Sequence, residues 1–80
     1  DTMKYIYLGR DIMNKKILTD REQEVFELLV LNKTTSEIAN FLGISEKTVR
    51  NHISNTIQKL GVKGRAQAVV ELIKLGEITI

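Results

Sequence analysis

From Leu18 onward the chain shows four blocks of apolar residues at helical spacing, each bracketed by start and stop signals, and proline is absent throughout. Thr19 followed by Glu22 makes a capping box: the Glu22 amide donates to the threonine hydroxyl, and the glutamate carboxylate accepts from the Thr19 amide. This predicts a first helix over 20–31, with Val25, Phe26, Leu28 and Leu29 on its buried face. Asp20, Glu22 and Glu24 also suit the positive end of the helix dipole. Thr34 and Glu37 repeat the box and predict a short helix over 35–42, whose apolar positions are Ile38, Ala39, Phe41 and Leu42. Gly43 stops that helix, and only Gly43 and Ile44 separate it from a third cap, Ser45. So short a join containing glycine is the turn of a helix-turn-helix, whose helices cross at about 90–120°.

The third helix is predicted over 46–60 and closes at Gly61. At about 100° per residue, Val49, Ile53, Ile57 and Leu60 fall within an arc of about 80°, which is the core face. Opposite them lie Lys47, Asn51, Ser54 and Gln58, flanked by Arg50 and Asn55. All six donate hydrogen bonds and none is acidic, whereas a merely solvated face usually mixes in glutamates. A fourth helix is predicted over 65–75, stopped by Gly76. Its apolar residues spread over roughly 220° of the wheel, about twice what one core-facing stripe requires. The surplus implies a second apolar partner, most simply another copy of the chain in a two-fold contact. Ala68, Leu72 and Leu75 form one line, assigned to the core. Ala66, Val70 and Ile73 form another, from which Val70 and Ile73 are assigned to the dimer interface.

Charge changes the picture only when it is resolved by position. The formal net charge of the 80 residues is +2, a figure that argues against a nucleic-acid partner. Residues 17–46 carry −4, however, while residues 47–65 hold Lys47, Arg50, Lys59, Lys63 and Arg65 with no acid, giving +5. The scaffold conceals a basic face in the total, and potentials follow distribution rather than sum. Residues 66–80 carry −1, with Lys74 against Glu71 and Glu77, and residues 1–16 add +2, with Lys4, Arg10, Lys15 and Lys16 against Asp1 and Asp11. They include the β-prone run Tyr5, Ile6, Tyr7 and Leu8 and show no helical period, so they read as a flexible or extended arm or linker. The expected organisation is an arm over 1–16 and a single all-α, four-helix domain over 17–80.

The chemistry available is narrow. Without cysteine, and with His52 as the lone histidine, no thiol or metal centre can be assembled, so neither metal nor cofactor is expected. Paired carboxylates, a nucleophile with its base and a phosphate-cradling glycine loop are likewise missing from the pattern, so an enzyme is not expected. No apolar run approaches the eighteen or so residues of a membrane span, and a cytoplasmic, nucleoid-associated protein follows as the expectation. Arg, Lys, Asn and Gln on one helix face are the side chains that pair with base edges in the major groove. Double-stranded DNA is therefore the leading partner; a protein-interaction helical module is the alternative.

The segments Leu18-Thr19-Asp20-Arg21-Glu22, Glu37-Ile38-Ala39, Ile44 to Ile53, Lys59-Leu60-Gly61-Val62 and Arg65 to Val69 resemble, in order, the motifs of the LuxR/FixJ/NarL-type DNA-binding domain. Within that family the similarity is greatest to a stand-alone sporulation regulator, especially across Glu24 to Val30 and Ile44 to Asn55; an output domain of a two-component response regulator is the alternative reading. The resemblance implies a transcription regulator, activating or repressing, that binds DNA as a homodimer through its last helix, with RNA polymerase as a further partner. Transferred by position, it implies base contacts from Lys47, Arg50, Asn51 and Ser54. Phosphate contacts would come from Thr34, Thr48, His52, Gln58, Lys59, Lys63 and Arg65. His52 is open to an orienting or purely structural role, and Thr48 to capping the helix instead of touching DNA.

Overall fold

The computed structural model describes residues 17–79, so the expected arm over 1–16 lies outside the described residues. The described chain forms α1 (Asp20–Val30), α2 (Thr35–Leu42), α3 (Glu46–Leu60) and α4 (Arg65–Lys74). Both capping boxes are formed, Thr19 with Glu22 and Thr34 with Glu37, and the Ser45 hydroxyl accepts from the Thr48 amide at 3.0 Å. α2 and α3 have their predicted bounds; α1 and α4 each stop one residue sooner.

A common geometry ends the helices. Asn32, Gly43, Gly61 and Gly76 all adopt the left-handed conformation, with φ between 67° and 75°. The residue after each donates back into the last turn, as Lys33 does to Leu28, Ile44 to Ala39, Val62 to Ile57 and Glu77 to Leu72. This is the Schellman pattern, which satisfies otherwise orphaned carbonyls. Gly43 serves the fold most directly, because its φ of 71° reverses the chain within the two-residue turn between α2 and α3. A side chain there would be strained even though space is open around it.

α3 packs against each of the other three helices and is the hub of the domain. Its core face holds Val49 and Ile53 as predicted, with Thr56 also fully buried and its hydroxyl donating to the His52 carbonyl at 2.9 Å. Ile57 and Leu60 are half-buried. Leu18, Val25, Phe26, Ile38, Ala39, Ala68, Leu72 and Ile78 complete the interior.

Two apolar assignments are corrected. Leu75 is not core but 49% exposed: it is the C-cap residue of α4, still helical and donating to the Glu71 carbonyl, and the chain turns at Gly76 directly after it. Ile78, delivered by that turn, fills the core in its place. Phe41 does not support the α2 core face: it is 76% exposed, lying beside rather than on the side that carries Ile38 and Ala39. Ile73 is half-buried and packed against the core, whereas Val70 on the same predicted stripe is 53% exposed.

Candidate nucleic-acid interface

The outer face of α3 is as open as its sequence period requires. Lys47, Arg50, Asn51, Ser54, Asn55 and Gln58 are all exposed, and within the described residues no hydrogen bond or ion pair occupies the side chains of Lys47, Asn51, Ser54 or Gln58. A helix is about 10–12 Å across with its side chains, which matches a major groove about 12 Å wide. The fifteen residues of α3 provide roughly 22 Å of length. Packing by α1, α2 and α4 on its opposite side holds the helix rigid and presents this face without rearrangement.

One acid does reach the surface. Glu46, at the N-terminal edge of the acid-free stretch, lies 3.5 Å from the Arg50 guanidinium, with both side chains more than half exposed. Glutamate four residues ahead of arginine is the favourable order on a helix. The pair holds Arg50 along the helix surface, in a contact weak enough to be exchanged.

The phosphate candidates divide into two groups. Lys63 and Arg65 are exposed at the loop after α3 and the start of α4, and Gln67 caps that start by accepting from the Lys63 amide at 2.9 Å. Arg65 shares a cleft with Lys33 at the junction of α1 and α4. Thr34 and Thr48 are already engaged: the Thr34 hydroxyl accepts from the Glu37 amide at 3.1 Å, and the Thr48 hydroxyl accepts from Ser45 Oγ at 2.9 Å. Each hydroxyl still has its own proton to give. The bond from the Thr34 amide, helped by Lys33, holds the Glu37 carboxyl below the usual range. His52 is half-buried at the border of the core and outer faces.

Lys59 stands apart. Its ammonium lies 2.5 Å from Glu22 Oε1, and Glu22 is buried with 4% of its side chain exposed. It also donates to the Ile17 carbonyl at 3.4 Å. Burial pushes the Glu22 carboxyl up, but the Lys59 ammonium and the Thr19 amide and hydroxyl together outweigh it, and the group sits below its ordinary range. Nearby, the Glu77 carboxylate accepts from the Ile17 and Leu18 amides at 2.7 and 3.2 Å, and the Glu77 carbonyl accepts from Gln23 Nε2 at 3.2 Å. Both ends of the described chain are thus fastened to α1, with the end of α3 tied in through Lys59. The sequence pattern did not expose this knot, since its members lie up to sixty positions apart. The only signal was a glutamate serving two purposes, cap and buried charge.

The last helix carries Ala66, Gln67, Val70 and Lys74 along a shallow exposed depression, on the side away from the buried Ala68 and Leu72. No helix among the described residues is long and apolar enough to cross a membrane, and no group of His, Asp and Glu there is arranged to hold a metal.

Comparison with known proteins matches this arrangement. The family model described as bacterial regulatory proteins, luxR family, covers residues 16–72. The spore germination protein GerE of Bacillus subtilis (strain 168) is 68% identical over 69 residues, covering 86% of this chain and 93% of that protein. The transcriptional regulatory protein DegU of Brevibacillus brevis is 50% identical over 64 residues, covering 80% of this chain but 27% of its own length. A solved structure of the transcription factor GerE superposes with a TM-score of 0.80 at 62% identity, covering 81% of this chain and 97% of the other.

Proposed function

The chain belongs to the luxR family of bacterial regulatory proteins and is a sequence-specific DNA-binding regulator of transcription, and we propose that it binds as a two-fold dimer with the outer face of α3 in the major groove. The observation that carries this arrangement is the row of exposed, donor-rich side chains on α3, held rigidly and free of competing bonds at Lys47, Asn51, Ser54 and Gln58. Arg50 exchanges its glutamate for guanine, whose O6 and N7 accept both arms of a guanidinium. Asn51 is suited to adenine, and the short Ser54 reads its base through water. Lys47 works at the edge of the base-reading surface. Gln58, Lys63 and Arg65 grip phosphates, joined by the hydroxyl protons of Thr34 and Thr48 and by His52 at the border. Lys59 is assigned first to the fold, because its ammonium holds the buried Glu22; a phosphate would meet only the exposed part of the side chain.

The dimer contact is assigned to α4 around Val70, with Ile73 contributing only its exposed edge. Two recognition helices related by such an axis address half-sites about 34 Å apart on one face of the duplex. RNA polymerase is the further partner of the bound dimer. The similarity to a spore germination protein supports target genes that act in spore formation. Selection of binding sites from random duplexes, followed by a salt titration, tests the whole reading. The expected outcome is a two-fold symmetric site whose affinity falls steeply with salt. A selected site without symmetry, or affinity insensitive to salt, would overturn it.

A further inference from the structure

Leu31, at 65%, and Phe41, at 76%, are the two most exposed large hydrophobic residues in the described chain. They belong to one surface. A cavity of about 350 Å³ is lined by Leu28, Leu31 and Phe41 with Lys33 and Glu37, and a second of about 330 Å³ by the same three apolar residues with Leu42, Glu24 and Glu27. The two therefore share an apolar floor and ridge and form a continuous groove between α1 and α2. No residue of α3 or α4 lines either one, so the groove is separate from the outer face of α3 and from the α4 face, and only its Lys33 and Glu37 end adjoins Thr34.

Its rim has a definite charge. Three carboxylates, Glu24, Glu27 and Glu37, stand against the single ammonium of Lys33. Arg21 partly offsets Glu24 at 3.0 Å, whereas Glu27 is only hydrogen-bonded by Gln23 Nε2 at 3.3 Å. Glu37 is fixed in place by the Thr34 amide. We propose that this groove docks a basic amphipathic helix of a partner protein, with one large apolar side chain in each cavity and lysine or arginine facing Glu27 and Glu37. Two anchors at i and i+3 or i+4 are the spacing by which a helix fills neighbouring pockets. A second copy of the chain is disfavoured as occupant, because a two-fold contact would set the same carboxylates against themselves. Duplex DNA is repelled by the same charges. The proposal rests on the DNA-binding reading only in that the groove remains open while α3 is engaged.

The test uses the full chain, isotopically labelled, titrated with a synthetic leucine–lysine helical peptide of about four turns and, separately, with its leucine–glutamate counterpart. Expected are NMR shifts at Leu28, Leu31 and Phe41 with the lysine peptide alone, and a loss of affinity of about tenfold or more in Phe41→Ser and in Glu27→Lys. The α3 signals should stay in place, and Phe41→Ser should bind duplex DNA as the parent does. Equal binding of the glutamate peptide would overturn the proposal, as would shifts centred on α4. So would self-association that disappears in Phe41→Ser, or lysine-peptide binding that appears only when residues 1–16 are removed. DNA binding is read in the same samples. Its absence in the parent chain would fail the functional reading while leaving the peptide result to decide the groove.

Discussion

Arg50 and Lys59 are basic residues on one helix, and each faces a glutamate, yet the two pairs have opposite consequences. Arg50 and Glu46 are 58% and 51% exposed and 3.5 Å apart, a surface pair worth about 0.3–0.5 kcal/mol. Lys59 meets a carboxylate that is 4% exposed and also caps α1, so separating them would leave a buried charge without its cation. The first cation is held so loosely that another anion can replace its partner, whereas the second is committed to a buried acid and offers a further anion only its exposed part.

The sharpest way to break this contrast is to remove each cation and measure both stability and affinity. Lys59→Met should cost about 1–3 kcal/mol of unfolding free energy in urea, short of a fully buried pair because the ammonium keeps contact with water. Affinity per folded molecule should barely change. If the salt dependence of binding fell by about one contact instead, with stability intact, Lys59 would be a phosphate ligand after all. Arg50→Ala should do the reverse, losing about 1–3 kcal/mol on the selected site and relaxing one base position, with stability within about 0.5 kcal/mol. An equal loss on random duplex would reduce Arg50 to a backbone contact.

The same logic separates Val70 from Ile73. Val70→Asp places a charge on an exposed side chain and should shift sedimentation toward monomer while the domain stays folded. Ile73→Asp buries part of that charge against the core and should destabilise the domain before it reports on any interface. A Val70→Asp protein that sediments like the parent would move the dimer contact off this stripe.

Acid pH probes the knot specifically. The Glu22 carboxyl is held below its ordinary range in the folded chain, so its contribution is fully present above the unfolded pKa and is lost as pH falls through the lower, folded one. Stability should decline across and below the ordinary glutamate range. In Glu22→Gln that acid limb should be shallower, with lower stability at neutral pH. An unchanged pH profile would show that Lys59 does little for Glu22.

What could be read in advance follows from the range of each interaction. The caps at Thr19, Thr34 and Ser45 and the stops at Gly43 and Gly61 act within a few residues, and their elements are formed as predicted, with small shifts at two helix ends. The outer face of α3 was equally legible, because it is the complement of a core face with a strict period. Phe41 and Leu75 were misplaced, and the Glu22 partner of Lys59 was not foreseen, for a different reason. Each depends on what a distant segment supplies: Ile78 fills the core in place of Leu75, Glu22 claims Lys59, and α1 meets Phe41 only along a groove. Periodicity identifies a face but not its partner.

The smallest effect tests the weaker pair itself. Glu46→Gln keeps the shape of the side chain and removes its charge, releasing Arg50 and one repulsion toward phosphate. The surface pair is worth about 0.3–0.5 kcal/mol, so affinity for random duplex at low salt should rise by roughly twofold. Affinity for the selected site should rise by less, because Arg50 is already held by its base there, and the ratio of specific to random binding should fall. Glu46 would thus act as a restraint that keeps Arg50 from attaching to any phosphate within reach. If the selected site weakened instead, and only where it carries a cytosine, Glu46 would be accepting from cytosine N4 and reading sequence itself.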